Sequence, residues 1–85
     1  MQMFSYVITD KEGLHARPAG MFVKAASAYQ SNIMVGKDKK EANAKRLFAV
    51  MGLVVKCGDE ITVTCEGPDE SEAAKGLQDF LKNNL

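Results

Sequence analysis

The chain contains a single histidine, His15, within residues 13–20, which read GLHARPAG. Pro18 is accommodated in the first turn of a helix and rarely deeper, so it predicts that a helix begins just after His15. The first backbone N–H groups of a helix have no partner inside it, and together with the helix dipole they attract phosphate. Because a neutral imidazole nitrogen is a nucleophile, the pattern predicts a phosphate site in which His15 is able to react.

Arg17 strengthens this interpretation, because a guanidinium two residues after the histidine can bind two phosphate oxygens at once. The backbone N–H groups of Ala16 and Arg17 would add two donors, whereas Pro18 has none. Simpler interpretations remain open at this point. His15 would then be a capping or surface residue, and Arg17 a solvated arginine at a helix start.

Helical periodicity follows this motif, and it predicts a helix from about residue 16 to residue 29. Its buried face would consist of Ala19, Phe22, Val23 and Ala26. Lys24 lies off that face, where a solvated lysine is the usual outcome and contact with a partner the less common one.

A second helix is predicted after Arg46, ending by Gly58. Its inward face would consist of Leu47, Val50, Met51 and Val54. Phe48 lies off this face, and an exposed aromatic side chain beside apolar neighbours is typical of a docking surface. For Leu47 and Met51, core packing and docking are equally open.

Alternating apolar and polar residues predict strands at residues 3–9, 33–35, 41–44 and 61–66. A third helix should follow Asp69, with Glu72 completing a capping box. Its buried face would consist of Ala73, Leu77, Phe80 and Leu81. The order β-α-β-β-α-β-α indicates an α+β fold, an open-faced β-sandwich in which three helices cover one face of a four-stranded antiparallel sheet.

The 85 residues fit one domain, residues 1–85, and 46% of them are hydrophobic. The net charge of zero argues against a nucleic-acid or membrane-surface binder. No apolar run approaches the roughly 20 residues of a membrane span, and the N-terminus lacks the basic and apolar regions of a secretory signal. We therefore expect a cytoplasmic protein with no membrane insertion.

The two cysteines, Cys57 and Cys65, lack a CxxC spacing, and one histidine cannot complete a zinc site with them. We predict no metal site. Cys65 falls on the apolar side of its strand and should be buried, whereas Cys57 should be partly exposed. A disulfide is not expected in a reducing compartment.

The motif GLHARPA resembles the active-site signature of the HPr family, the histidine-containing phosphocarrier proteins of the phosphoenolpyruvate:sugar phosphotransferase system. Residues 44–48 (AKRLF) and 58–63 (GDEITV), the chain length and the position of His15 extend the likeness over essentially the whole chain. The resemblance implies the same open-faced sandwich.

The resemblance also implies the function. His15 would accept a phosphoryl group on Nδ1 from phosphorylated enzyme I and pass it to the A domains of sugar permeases, as a protein substrate without turnover of its own and without a cofactor. Transcriptional regulators are a further implied class of partner. The implied partner-binding residues are Arg17, Gly20, Lys24, Lys45, Leu47, Phe48 and Met51. We expect a monomer, since the partner surfaces must stay free.

Arg46 departs from the family pattern, in which this position is often a serine that caps the second helix and is phosphorylated by a regulatory kinase. An arginine cannot accept that phosphoryl group as a serine does, and it has the wrong charge for a helix N-terminus. With Lys45 it forms a basic edge suited to acidic partners, or it is ordinary surface charge. The alternative function is that of an HPr-like regulatory adaptor that binds a partner without carrying phosphate.

Overall fold

A computed structural model describes all of residues 1–85 and shows four strands and three helices. In chain order they are β1 (Gln2–Val7), α1 (Ala16–Ser27), β2 (Asn32–Lys37), β3 (Lys40–Asn43), α2 (Leu47–Met51), β4 (Glu60–Glu66) and α3 (Glu70–Asn84). The strands form one antiparallel sheet in the order β1-β4-β2-β3. The predicted element order and the open-faced α+β sandwich are confirmed.

Side chains alternate across the sheet, so that one face is buried under the helices and the other is open. On the central strand β4, Ile61, Val63 and Cys65 are fully buried, while Thr62 and Thr64 point to the open face. The thiol of Cys65 has a raised pKa because burial disfavours the thiolate. The helices contribute Ala19, Phe22, Ala26, Val50, Ala73, Leu77 and Leu81 to the same core. None of the helices is both long and apolar enough to cross a membrane.

The second helix is shorter than its periodicity predicts. After Met51 the chain tightens into turns, in which the N–H of Leu53 donates to Val50 O (3.1 Å) and the N–H of Val54 donates to Met51 O (3.1 Å). Val54 has φ of 53° and is 57% exposed, so the predicted inward face at Met51 and Val54 is wrong. Leu53 is buried in their place.

The predicted capping box at α3 is also wrong. Asp69 occupies the N-cap position, but its carboxylate makes no cap hydrogen bond. It accepts instead from the N–H groups of Gln30 and Ser31, both at 2.9 Å, and from the Ser31 hydroxyl. Ser31 is fully buried. The N–H of Gly67, before the helix, donates to the carboxylate of Glu70 and not to that of Glu72. The carboxylate of Asp69 thus joins the start of α3 to the segment that leads into β2.

Hydrogen bonds from Ser31 and Gln30 hold the pKa of Asp69 below its ordinary value. A carboxyl whose pKa is lowered by folding adds stability above its unfolded pKa of about 3.9, and this is lost as the pH falls through the lower, folded value. We therefore predict that Asp69→Asn unfolds more readily than the parent at neutral pH, and that the difference shrinks below about pH 4.

Denaturant unfolding at a series of pH values tests this prediction. Asp79→Asn is the matched control. It removes an exposed carboxylate from the same helix, and that carboxylate makes no ion pair or side-chain hydrogen bond. A loss of stability in Asp69→Asn that is the same at every pH would contradict the assignment.

Candidate functional site

His15 is the N-cap residue of α1, with extended backbone angles (φ −84°, ψ −176°). Its ring makes no cap hydrogen bond, so the capping interpretation of this side chain is wrong. The first N–H of α1 with a backbone partner is that of Ala19, which donates to His15 O (2.9 Å). Because Pro18 has no N–H, the free donors at this helix end are those of Ala16 and Arg17.

The ring of His15 is 38% exposed and borders a shallow open depression in the surface. The lining consists of Asp10, His15, Arg17, Pro18, Met21 and Asn84. One carboxylate contacts the ring, since Glu12 Oε2 lies 3.3 Å from His15 Nε2. Glu12, Asp10 and Met21 were missed by sequence reasoning. The i,i+3 spacing of Glu12 and His15 was the available signal for the first of them.

The loop before His15 is packed closely against a second loop. Gly13 has φ of 69°, and a Cβ on it would lie 2.4 Å from Val55 O. The N–H of Leu14 donates to the same oxygen (3.0 Å). Asp10 closes the turn, because its side chain accepts from the N–H of Glu12 (2.9 Å) and its carbonyl from the N–H of Gly13 (3.0 Å). The position of His15 is thus set by backbone contacts on both sides.

The remaining predicted residues of α1 lie on or near its surface. Arg17 is exposed, and its guanidinium makes no ion pair or side-chain hydrogen bond within the chain, so it is free to meet an anion. Lys24 is exposed in the last turn, and Gly20 is half-buried with open space where a Cβ would be.

Helix α2 packs against α1 and carries exposed apolar side chains. Phe48 is 86% exposed, as predicted. Met51 is 37% exposed, so it is not a buried core residue. Leu47 is half-buried against the core. We call Leu47, Phe48 and Met51 the α2 surface.

Lys45 and Arg46 differ in their surroundings. The ammonium group of Lys45 donates to the Tyr29 carbonyl (2.7 Å), just beyond the C-terminal end of α1, where a cation is favourable. Arg46 is exposed and is the N-cap residue of α2, without a cap hydrogen bond from its side chain. Of these two basic residues, only Arg46 has a charged group without a partner inside the chain.

A nucleophilic ring nitrogen, two free N–H donors and a free guanidinium at one helix end form a surface suited to receiving a phosphoryl group. Comparison with known proteins agrees with this chemistry. The family described as PTS HPr component phosphorylation site matches residues 3–83. The chain belongs to the HPr family.

Individual HPr relatives are similar over most of the chain. The phosphocarrier protein HPr of Mycoplasma capricolum is 42% identical over 81 residues, which cover 95% of this chain and 91% of the relative. That of Treponema pallidum is 38% identical over 78 residues, covering 92% and 89%.

Solved HPr structures share the fold. The crystal structure of HPr-C-His from Thermoanaerobacter tengcongensis has a TM-score of 0.94 at 43% identity, covering 98% of this chain and 93% of that one. Crh, the catabolite repression HPr of Bacillus subtilis, has a TM-score of 0.78 at 35% identity in a crystal structure described as a swapped dimer, with 100% and 98% covered. An HPr dimer from T. tengcongensis is also similar, with a TM-score of 0.78 at 43% identity, covering 98% of this chain and 95% of that one. Dimers therefore occur among HPr relatives, and the expectation of a monomer stays a prediction.

The packing of Gly13 against Val55 yields a prediction. In Gly13→Ala, the new Cβ meets backbone atoms that cannot rotate away, at a positive φ that disfavours alanine. We expect a loss of about 1–3 kcal/mol in the free energy of unfolding.

Gly20→Ala is the control, because open space surrounds its Cβ position inside α1. Alanine there should raise stability by about 0.5–1 kcal/mol. Denaturant unfolding of both variants measures the contrast, and equal effects in the two would show that Gly13 does not have the strained contact described.

Proposed function

We propose that this HPr-family chain is a phosphocarrier of the phosphoenolpyruvate:sugar phosphotransferase system. In this proposal His15 accepts a phosphoryl group from phosphorylated enzyme I and passes it to the A domains of sugar permeases. The observation that carries it is the placement of a half-exposed imidazole at the start of α1, beside the free N–H groups of Ala16 and Arg17.

The transfer step follows from this geometry. The lone pair of Nδ1 forms a bond to phosphorus, while the bond from phosphorus to the donor's leaving atom breaks and its electron pair goes with that atom. The two N–H groups and the Arg17 guanidinium receive the phosphoryl oxygens. Each exposed helix-end interaction with a charge contributes about 0.3–1 kcal/mol, so the bound group is steadied without being trapped. Such weak stabilisation suits a carrier that must release its cargo.

The open surroundings of His15 explain why we propose that the chain has no turnover of its own. His15 lies at the edge of an open depression and not in a closed cavity, so water is excluded only when a partner covers it. The donor and acceptor proteins would therefore complete the reaction site. This makes the chain a protein substrate of other enzymes, acting without a cofactor in the cytoplasm.

Partner docking is assigned to the α2 surface together with Arg17, Gly20 and Lys24. An exposed phenylalanine beside apolar neighbours is the kind of residue that dominates binding energy. Arg46 adds a fixed positive charge at its edge, which favours acidic partner surfaces. Since arginine cannot be phosphorylated as a serine can, we propose that seryl-kinase regulation at this position does not operate here.

A regulatory adaptor is the second candidate, favoured by the likeness to Crh. An adaptor that carries no phosphate has no need for the free donors around His15. Transcriptional regulators then remain as further partners of the same docking surface. We also propose that the chain is a monomer, which leaves that surface free. Light scattering at working concentration measures the molar mass and distinguishes a monomer from the dimers found among its relatives.

His15→Ala is expected to abolish phosphorylation by enzyme I and phosphoenolpyruvate. The fold should survive, because the ring is partly exposed and its one polar side-chain contact is that to the exposed Glu12. Intact-mass measurement after the reaction shows the adduct in the parent and its loss after acid treatment. Uptake of phosphate by the folded variant would disprove the assignment of His15.

Phe48→Ala is expected to weaken docking without weakening the fold. The side chain is 86% exposed, so the free energy of unfolding should change by less than about 0.5 kcal/mol, whereas affinity for enzyme I should fall roughly tenfold or more. Phe80→Ala is the control, because Phe80 packs 6.0 Å from Phe22, centroid to centroid, and its loss should reduce stability and leave docking unchanged. Calorimetric binding and thermal melting distinguish the two, and a strongly lowered melting temperature in Phe48→Ala would contradict the docking role.

A further inference from the structure

The contact between Glu12 and His15 is the one polar side-chain interaction of the proposed acceptor ring. Glu12 Oε2 lies 3.3 Å from His15 Nε2, which is within ion-pair distance but beyond the usual range of about 2.7–3.2 Å for an N–H···O hydrogen bond. Contacts of this kind are often long before a reaction partner is bound, and they tighten in the reactive complex. The carboxylate approaches Nε2 and leaves Nδ1 on the other side of the ring.

The backbone of Glu12 is held in place by its neighbours. Its N–H donates to the Asp10 carboxylate (2.9 Å), and the following Gly13 packs against Val55 O and Lys56. The backbone of Glu12 is thus fixed relative to Asp10 and to the Gly13 contact that precedes His15. The side chain is 74% exposed and makes no ion pair with a lysine or arginine, so its charge is directed to the ring alone.

We propose that Glu12 is a positioning residue that keeps the proton of His15 on Nε2 and thereby presents Nδ1 as the unprotonated nucleophile. The inference rests on the proposed function. An imidazole has one protonated and one unprotonated nitrogen when neutral, and the hydrogen bond made by one nitrogen decides the state of the other. A carboxylate is negatively charged and only accepts hydrogen bonds, so its position 3.3 Å from Nε2 favours the tautomer with the proton on that nitrogen.

The same carboxylate also favours the product of the step. When the Nδ1 lone pair forms the bond to phosphorus, the bond to the donor's leaving atom breaks, and the Nε2 proton stays where it is. The ring then has a positive charge, which the Glu12 carboxylate faces directly. Arg17 is among the residues that line the depression beside His15, where its charge is available to the phosphoryl oxygens.

Nitrogen-15 NMR of the histidine ring tests the proposal in the full chain at alkaline pH. The parent is expected to show a protonated Nε2 and an unprotonated Nδ1, and Glu12→Ala a shift of the two resonances toward each other. Glu41→Ala is the matched control, since it removes one exposed carboxylate on β3 and should give the parent spectrum. A parent-like spectrum for Glu12→Ala would overturn the inference.

The rate of phosphoryl acceptance gives the second readout. Glu12→Ala should accept phosphate from enzyme I about two- to fivefold more slowly, the effect expected for one exposed ion pair, and Glu41→Ala at the parent rate. An unchanged rate in Glu12→Ala overturns the role of Glu12. If the parent itself accepts no phosphate, the proposed function fails, and the NMR comparison still decides whether Glu12 sets the tautomer.

Discussion

The contact between the loop before His15 and the backbone of Val55 is the constraint on which the site depends. Gly13 approaches so closely that no side chain fits, and Leu14 donates to the same carbonyl. This contact joins the segment that holds the histidine to the segment that follows α2. The ring of His15 and the α2 surface are therefore linked through this contact, although His15 and Leu47 lie 32 positions apart in the sequence.

The local features of the fold could be predicted because they depend on short stretches of chain. Pro18 marked the start of α1, alternation marked β4, and the position of Phe48 off its helical face marked it as exposed. Features that depend on distant residues could not be predicted. Asp69 looked like a cap for its own helix, but two backbone N–H groups and a buried hydroxyl on the segment before β2 were better partners.

The end of α2 illustrates a different limit. A valine rarely adopts positive φ, so periodicity extended the helix through Val54. In the structure, the ammonium group of Lys37 donates to the Val54 carbonyl (2.7 Å) and pairs with Asp59 (2.8 Å). These contacts join the turn at Val54 to the last residue of β2 and, through Lys37, to the residue before β4. Met51 and Val54 are exposed at this turn, whereas the longer predicted helix placed both on its inward face.

The order of the strands has a consequence for how the chain is made. β1 is paired only with β4, from Gln2 opposite Cys65 to Val7 opposite Glu60. On the ribosome the first strand emerges long before its partner, so the edge of the sheet cannot close until about three-quarters of the chain has been synthesised. The histidine segment must wait as well, because the Val55 carbonyl that receives Leu14 is synthesised late. Contacts so distant in sequence slow folding, because a long loop of chain must close before they can form.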